Sequence, residues 1–106
     1  EADTAVYDTM AKFPYGISGV RKFVENNTRY PMIAMENGIQ GTVIISFRVN
    51  PDGVVDDVKV LRSVDPSLDR EALRVMALFP KWKPAQRNGK SVSSYYVQPF
   101  RFYLQQ

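Results

Sequence analysis

Residues 30–55 read YPMIAMENGIQGTVIISFRVNPDGVV, and this stretch decides the fold because helix, strand and turn signals follow one another within it. Pro31 suits the first position of a short helix over residues 32–36, where its missing N–H costs nothing. Gly38 stands where a left-handed C-terminal cap is wanted. From Gly41 the hydrophobic period becomes two, with Val43, Ile45, Phe47 and Val49 on one face. Thr42, Ser46, Arg48 and Asn50 fall on the other face, Ile44 being the exception, and the pattern predicts a half-buried strand. Asn50, Pro51, Asp52 and Gly53 follow; proline presets φ and glycine accepts a positive one, so the chain turns there. A second strand over about residues 54–64, with Val54, Val58, Val60 and Val64 on one face, closes an antiparallel hairpin.

Working outward, the first fifteen residues, EADTAVYDTMAKFPY, carry no sustained period and read as an arm or a short edge strand. Ile17, Val20, Phe23 and Val24 then recur at helical spacing behind Ser18 and Gly19, and Asn26 and Asn27 supply a stop. On the other side of the hairpin, DPSLDREALRVMALFP returns to the helical period, with Leu68, Ala72, Val75, Met76 and Phe79 as its apolar stripe. Asp65 or Ser67 caps this helix of residues 67–79, Asp69 and Glu71 occupy its favourable first turn, and Pro80 ends it. Asn88 and Gly89 mark a turn, and a last strand spans about residues 92–104 with Phe100, Phe102 and Leu104 alternating with Arg101 and Tyr103. Pro99 cannot donate to a ladder, which predicts that this strand lies at a sheet edge, with a bulge at Pro99 as one option.

The expected fold is therefore α+β: a three-stranded antiparallel sheet, order 2-1-3, packed on one main helix, with an additional N-terminal helix. Residues 1–15 form the arm and residues 16–106 the domain. At 106 residues the chain is long enough for one modest core.

Composition removes several functions. There is no cysteine and no histidine, which excludes disulfides, thiolate or imidazole metal sites and nucleophile–histidine dyads. No catalytic group and no cofactor is expected. Asp56 and Asp57 are neighbours on a strand and face opposite sides, so they read as solvated charges. Fourteen basic against eleven acidic residues give a net charge of +3, with no long basic run of the kind nucleic acid demands. Lys81, Lys83, Arg87 and Lys90 form a local basic cluster that reads as a solvated loop, with an acidic partner or lipid headgroups as the functional option. Trp82 reads as a cover for the core. No stretch is apolar for the length of a membrane span, and a chain beginning at Glu1 is expected to be a fragment or a processed form.

The run Val92, Ser93, Ser94, Tyr95, Tyr96, Val97 is uncharged and β-prone, which is poor protection for an edge strand. Either the N-terminal arm or a second copy of the chain covers it, or an extended peptide from a partner adds to it. Tyr95 and Tyr96 point to opposite faces, so one is free to pack on the helix while the other meets a partner, or both simply cover the sheet.

The pattern formed by Tyr30, Pro31, Ala34, Gly38, Gly41, Val43, Phe47, Val49, Asp52, Gly53 and Val55 resembles the C-terminal domain of the TonB family. The likeness continues through VKVLRSVDPSLDREAL and FPKWKPAQRNGK to the ending PFRFYL, over residues 28–104. The proline and glycine before VRKFVENN are most similar to the TonB-family form common in Bacteroidetes, from which Tyr15 departs by replacing a glycine. The resemblance implies a periplasmic domain of an inner-membrane-anchored energy transducer. Such a domain captures the TonB box of outer-membrane receptors and transmits proton-motive work from an ExbB/ExbD-type motor engaged by a region outside this chain. It further implies a peptide site on the last strand, here Val92, Ser93, Ser94, Tyr95, Tyr96, Val97 and Gln98, aided by Asn27, Thr28, Arg29 and Tyr30. A homodimer through the last strand is a further expectation. Two other readings stand beside it: the periplasmic domain of a membrane-bound peptidase or sensor, or a TolA-like scaffold, on the same fold, and a small nucleic-acid-binding domain.

Overall fold

A computed structural model describes residues 7–14 and 16–105. Residues 1–6 of the arm and the turn at Tyr15 lie outside the described residues. The elements run α1 (Ile17–Asn27), α2 (Met32–Glu36), β1 (Gly41–Val49), β2 (Val55–Arg62), α3 (Pro66–Met76), β3 (Ala85–Arg87), β4 (Lys90–Val92) and β5 (Ser94–Phe102). β1 lies between β2 and β5 in an antiparallel sheet of order β2-β1-β5, the expected order, and β3 and β4 form a separate hairpin. Val43, Ile45, Phe47 and Val49 are all buried. They meet Leu68, Ala72, Val75 and Met76 of α3 and Phe100 and Phe102 of β5 in one core.

The caps follow local chemistry. Asp65, not Ser67, is the N-cap of α3, and its carboxylate accepts from the Ser67 N–H at 3.0 Å. The bonds from Ser67 hold its pKa below the usual carboxylate range. α3 ends at Met76, and Phe79, beyond it, still packs on the core. α1 begins directly after Gly16, so Ser18 and Gly19 lie inside it rather than ahead of it. At its other end the Asn27 amide donates to the Phe23 carbonyl at 2.8 Å, which is how the asparagine stops the helix. Val24 is buried and Val20 and Phe23 pack against the core. Pro31 is the N-cap of α2 rather than its first residue, and Gly38 takes the left-handed φ of +66° that its position calls for.

Two expectations for the hairpin change. β2 is bulged: its register against β1 shifts twice, and Asp57 has a φ of +49°. The extra residue carries Val55 and Val58 onto the same core-facing side and leaves Val54 exposed, which strict alternation cannot do. Asp56 is not a solvated charge. It takes a bidentate pair of bonds from Arg48 at 2.6 and 2.7 Å and a third from the Asn50 amide at 3.1 Å. The turn at Gly53 is fixed from outside as well, since its carbonyl accepts from the Trp82 N–H at 2.8 Å. A Cβ at Gly53 would stand 2.1 Å from the Trp82 carbonyl oxygen, at a φ of +85°, so only glycine fits.

The segment read as one strand over residues 92–104 is two elements. Asn88 and Gly89, both at positive φ, close a tight turn between β3 and β4, and β4 ends at Val92; β5 starts at Ser94. Along β5 the register with β1 runs unbroken from Val49↔Ser94 to Gly41↔Phe102, so there is no bulge at Pro99.

Candidate functional site

The described part of the N-terminal arm, residues 7–14, does not pair with the outer edge of β5. It pairs with the segment before and within β3: Thr9 bridges Gln86, and Lys12 bridges Lys83, with N–H to carbonyl bonds of 2.8 Å in both directions between the two lysines. Phe13 is buried and meets Phe23, Phe79 and Trp82 edge to face. The arm touches β5 and the residue before it, the Ala11 N–H donating to the Tyr96 hydroxyl at 2.9 Å and the Tyr7 hydroxyl to the Ser93 carbonyl at 3.3 Å. Within the described sheet, β5 pairs with β1 alone and its far edge is open.

Which backbone groups face that open edge follows from the ladder. The Asn50 N–H goes to the Val54 carbonyl at 2.9 Å, on the β2 side. Backbone groups alternate sides along a strand, so Val49, Phe47, Ile45 and Val43 turn theirs to β5. Their register partners Ser94, Tyr96, Gln98 and Phe100 therefore face β1. Tyr95, Val97, Pro99 and Arg101 face outward. The Leu104 N–H, bonded to the Gln40 side chain ahead of β1 at 2.6 Å, keeps the same alternation. Pro99 thus sits where a missing N–H leaves β1 undisturbed. The open edge offers the N–H groups of Tyr95, Val97 and Arg101 and the carbonyls of all four outward residues, with a donor gap at Pro99.

Side chains sort the same way. Tyr95 and Val97 project on the sheet face away from the core and are 62% and 56% exposed. Tyr96 turns inward onto the core, where it packs on Trp82 (5.8 Å, nearly parallel) and Phe47. Trp82, 9% exposed, covers the core as expected. Two buried polar atoms, the Trp82 indole N–H and the Ser94 hydroxyl, find no partner among the described residues.

Beside the open edge runs a groove of about 1300 Å³. β5 forms one wall with Tyr96 to Phe102, and α1 forms the other with Val20, Arg21, Val24 and Glu25, continued by Thr28. Residues 10–14 of the arm and Tyr30 also line it.

The eleven residues expected to form the site are only partly brought together. Thr28, Tyr30, Tyr96, Val97 and Gln98 line the groove. Tyr30 is anchored: its hydroxyl donates to the Ile39 carbonyl and its ring meets Phe102 edge-on at 5.7 Å. Burial raises the pKa of that phenol. Asn27 and Arg29 line no part of the groove, and their backbone groups are engaged by α3. Arg74 donates to the Asn27 carbonyl at 2.7 Å, and Glu71 accepts from the Arg29 N–H at 2.7 Å. Burial pushes the Glu71 carboxyl up, but its bonds to Arg74 and Arg29 hold it below the usual range. Val92 belongs to β4, paired with Ala85. Ser93 gives its carbonyl to Tyr7, Ser94 is fully buried, and Tyr95 contributes its outward backbone groups.

Sequence reasoning missed the far wall, from Val20 to Glu25, and the contribution of Lys12 and Phe13 from the arm. The helical period of α1 marked Val20 and Val24 as apolar, but nothing local said that they face β5 across open space.

Comparison with known proteins adds the following. A family model described as Gram-negative bacterial TonB protein C-terminal matches residues 26–104. Protein TonB of Pseudomonas aeruginosa is 37% identical over 79 residues, which cover 72% of this chain and 22% of that protein. Protein TonB of Helicobacter pylori strain J99 is 37% identical over 67 residues, covering 58% of this chain and 24% of that protein. The chain thus spans less than a quarter of the length of either relative. Two solution NMR structures share the fold. The Helicobacter pylori TonB-CTD superposes with a TM-score of 0.66 at 28% identity, over 82% of this chain and 78% of that one. The Pseudomonas aeruginosa TonB CTD gives 0.60 at 34% identity, over 74% and 80%.

Proposed function

The chain belongs to the TonB C-terminal domain family, and from that premise we propose that it is a coupling module that binds an extended segment of outer-membrane receptors by strand addition to β5. The receptor's TonB box lies along the open edge, in the groove against α1. Regions of the parent protein outside this chain anchor it in the inner membrane and engage an ExbB/ExbD-type motor. Pulling on the paired segment then carries proton-motive work to the receptor. Among the described residues no helix is long and apolar enough to cross a membrane, and the proposed working location is the periplasm.

One observation carries this reading: β5 presents an edge that no strand among the described residues pairs with, and a groove of about 1300 Å³ with a mostly apolar lining runs beside it. Edges are normally protected by charge or by cover. Here Pro99 and Arg101 guard one half of the outward row, while Tyr95 and Val97 in the other half are uncharged and exposed. No catalysis is involved, because the working groups are backbone amides and carbonyls. Seven outward backbone groups at about 0.5–1.5 kcal/mol net each, set against an association cost of at least about 4 kcal/mol, leave at most about 6.5 kcal/mol, so backbone pairing by itself is weaker than micromolar and side-chain contacts in the groove supply the rest. Backbone pairing also tolerates many box sequences.

The test is a titration with synthetic peptides from receptor N-termini, following backbone amides by NMR and hydrogen exchange. The Tyr95, Val97 and Arg101 N–H groups gain protection, and the face of α1 on the groove shifts. Perturbation confined to α3, with those three amides unchanged, would refute the site.

A further inference from the structure

The ribbon made by the arm, β3 and β4 is basic in a way that its own fold does not explain. Residues 7–12 and 81–92 hold five cations, Lys12, Lys81, Lys83, Arg87 and Lys90, against one acid, so the ribbon is more positive than the whole chain's +3. All five are exposed. In the ladder Lys12 lies directly opposite Lys83, and Arg87 directly opposite Lys90. Like charges opposite one another on paired strands are destabilising. Asp8, the single acid, accepts from the Gly89 N–H at 3.3 Å. Among the described residues, the ion pairs of this protein lie elsewhere, on α1, α3 and the β1–β2 hairpin.

The ribbon is continuous with the proposed peptide site. Ser93 alone separates β4 from β5, and Lys12 lines the groove together with Tyr96 and Val97. A segment paired along the edge and running past Tyr95 therefore leaves the apolar groove among these cations.

We infer that the receptor segment captured by β5 carries acidic residues at the end that extends past Tyr95, and that the Lys12–Lys83 and Arg87–Lys90 pairs receive them. The inference rests on the strand-addition reading and adds the chemistry of the partner's flank. The groove takes the uncharged paired part, and the ribbon adds steering and register, the usual contribution of rim charges.

The experiment uses the receptor peptide that binds in the titration above, resynthesised in three forms: neutral flanks, two aspartates added before the paired core, and two added after it. One acidic form, the one whose flank passes Tyr95, binds about 3- to 10-fold more tightly than the neutral form at low salt, in the range of two partly exposed ion pairs. That advantage disappears at 0.5 M salt, whose Debye length is only about 4 Å, and in Lys83→Gln/Arg87→Gln, while the neutral peptide binds both proteins equally. Equal affinity of all three peptides overturns the inference and leaves strand addition standing. Equal gains from both flanks overturn it too, by showing attraction without register. If no receptor peptide binds, the strand-addition reading falls and takes the inference with it. Vesicles containing anionic lipid form a separate arm: binding them through the same two residues, with no flank preference among the peptides, would assign the ribbon to a membrane instead.

Discussion

Replacing Pro99 with alanine should strengthen peptide capture while slightly weakening the fold. Pro99 occupies an outward position on β5 opposite Ile44, so its nitrogen points at the partner and not at β1. Alanine supplies the missing N–H there without touching the β1–β5 ladder. One more edge hydrogen bond is worth about 0.5–1.5 kcal/mol net. At 1.4 kcal/mol per factor of ten, that is roughly a 2- to 13-fold gain in affinity. Loss of the proline releases conformational entropy in the unfolded chain and costs about 0.4–1 kcal/mol of stability. The two effects have opposite signs, which makes the pair of measurements diagnostic. Calorimetric titration with a receptor peptide gives the first and urea unfolding of the free domain the second. Hydrogen exchange adds a third readout, because in Pro99→Ala the backbone N–H newly present at that position should exchange fast in the free protein and slowly in the complex. Unchanged or weaker binding, or protection of that new N–H without peptide, would show that the alternation along β5 has been assigned to the wrong side. A more complete edge also invites self-pairing, so the variant should dimerise more readily in sedimentation.

Other predictions follow from the same geometry. Val97→Pro removes an outward donor and should cost about 2- to 13-fold in peptide affinity with the fold intact, whereas Tyr96→Pro cuts the ladder to β1 and should lower the melting temperature sharply; the reverse pattern in circular dichroism and binding would refute the ladder. Ser94 is fully buried with its hydroxyl unpartnered among the described residues, so Ser94→Ala should be neutral or stabilising by up to about 1 kcal/mol; a loss above about 1 kcal/mol in urea melts would mean the hydroxyl is bonded after all. Asp56 and Asp65 are held below the ordinary carboxylate range by Arg48 and Ser67 respectively, and Glu71, despite burial, by Arg74 and Arg29. Depressed carboxylates give stability that is present above their unfolded pKa values, about 4, and is lost as pH falls through the lower folded ones. With no histidine in the chain, stability should be flat between about pH 5 and 8 and fall below about pH 4; a step near the ordinary histidine pKa of about 6.5 would contradict this.

How far the sequence was legible depends on the range of the signal. The cap at Asp65 or Ser67, the stop at Asn26–Asn27, the turns at Gly53 and Asn88–Gly89, and the stripes of β1 and α3 arise from groups a few residues apart, and each could be read directly. The bulge at Asp57 could not, because it is set by the fit of β2 to β1 and to the core. Nor could the place of Asn27 and Arg29, which are held by Arg74 and Glu71 from α3, at sequence separations of 47 and 42 residues.

The sequence by itself pointed to a three-stranded sheet with β5 at its edge: period-two alternation sets which side chains are buried, and Pro99, lacking an N–H, leaves a donor gap that an edge strand tolerates. It did not determine which backbone groups that edge would offer. Alternation fixes faces, but the side to which each N–H turns is decided by where the neighbouring strand lies, and that came from pairing β5 with β1, far away in the chain. The groove has the same origin. Val20, Val24, Phe13 and Tyr96 are each ordinary apolar positions, and they become walls of one groove only because the fold brings α1 and the described part of the arm alongside β5.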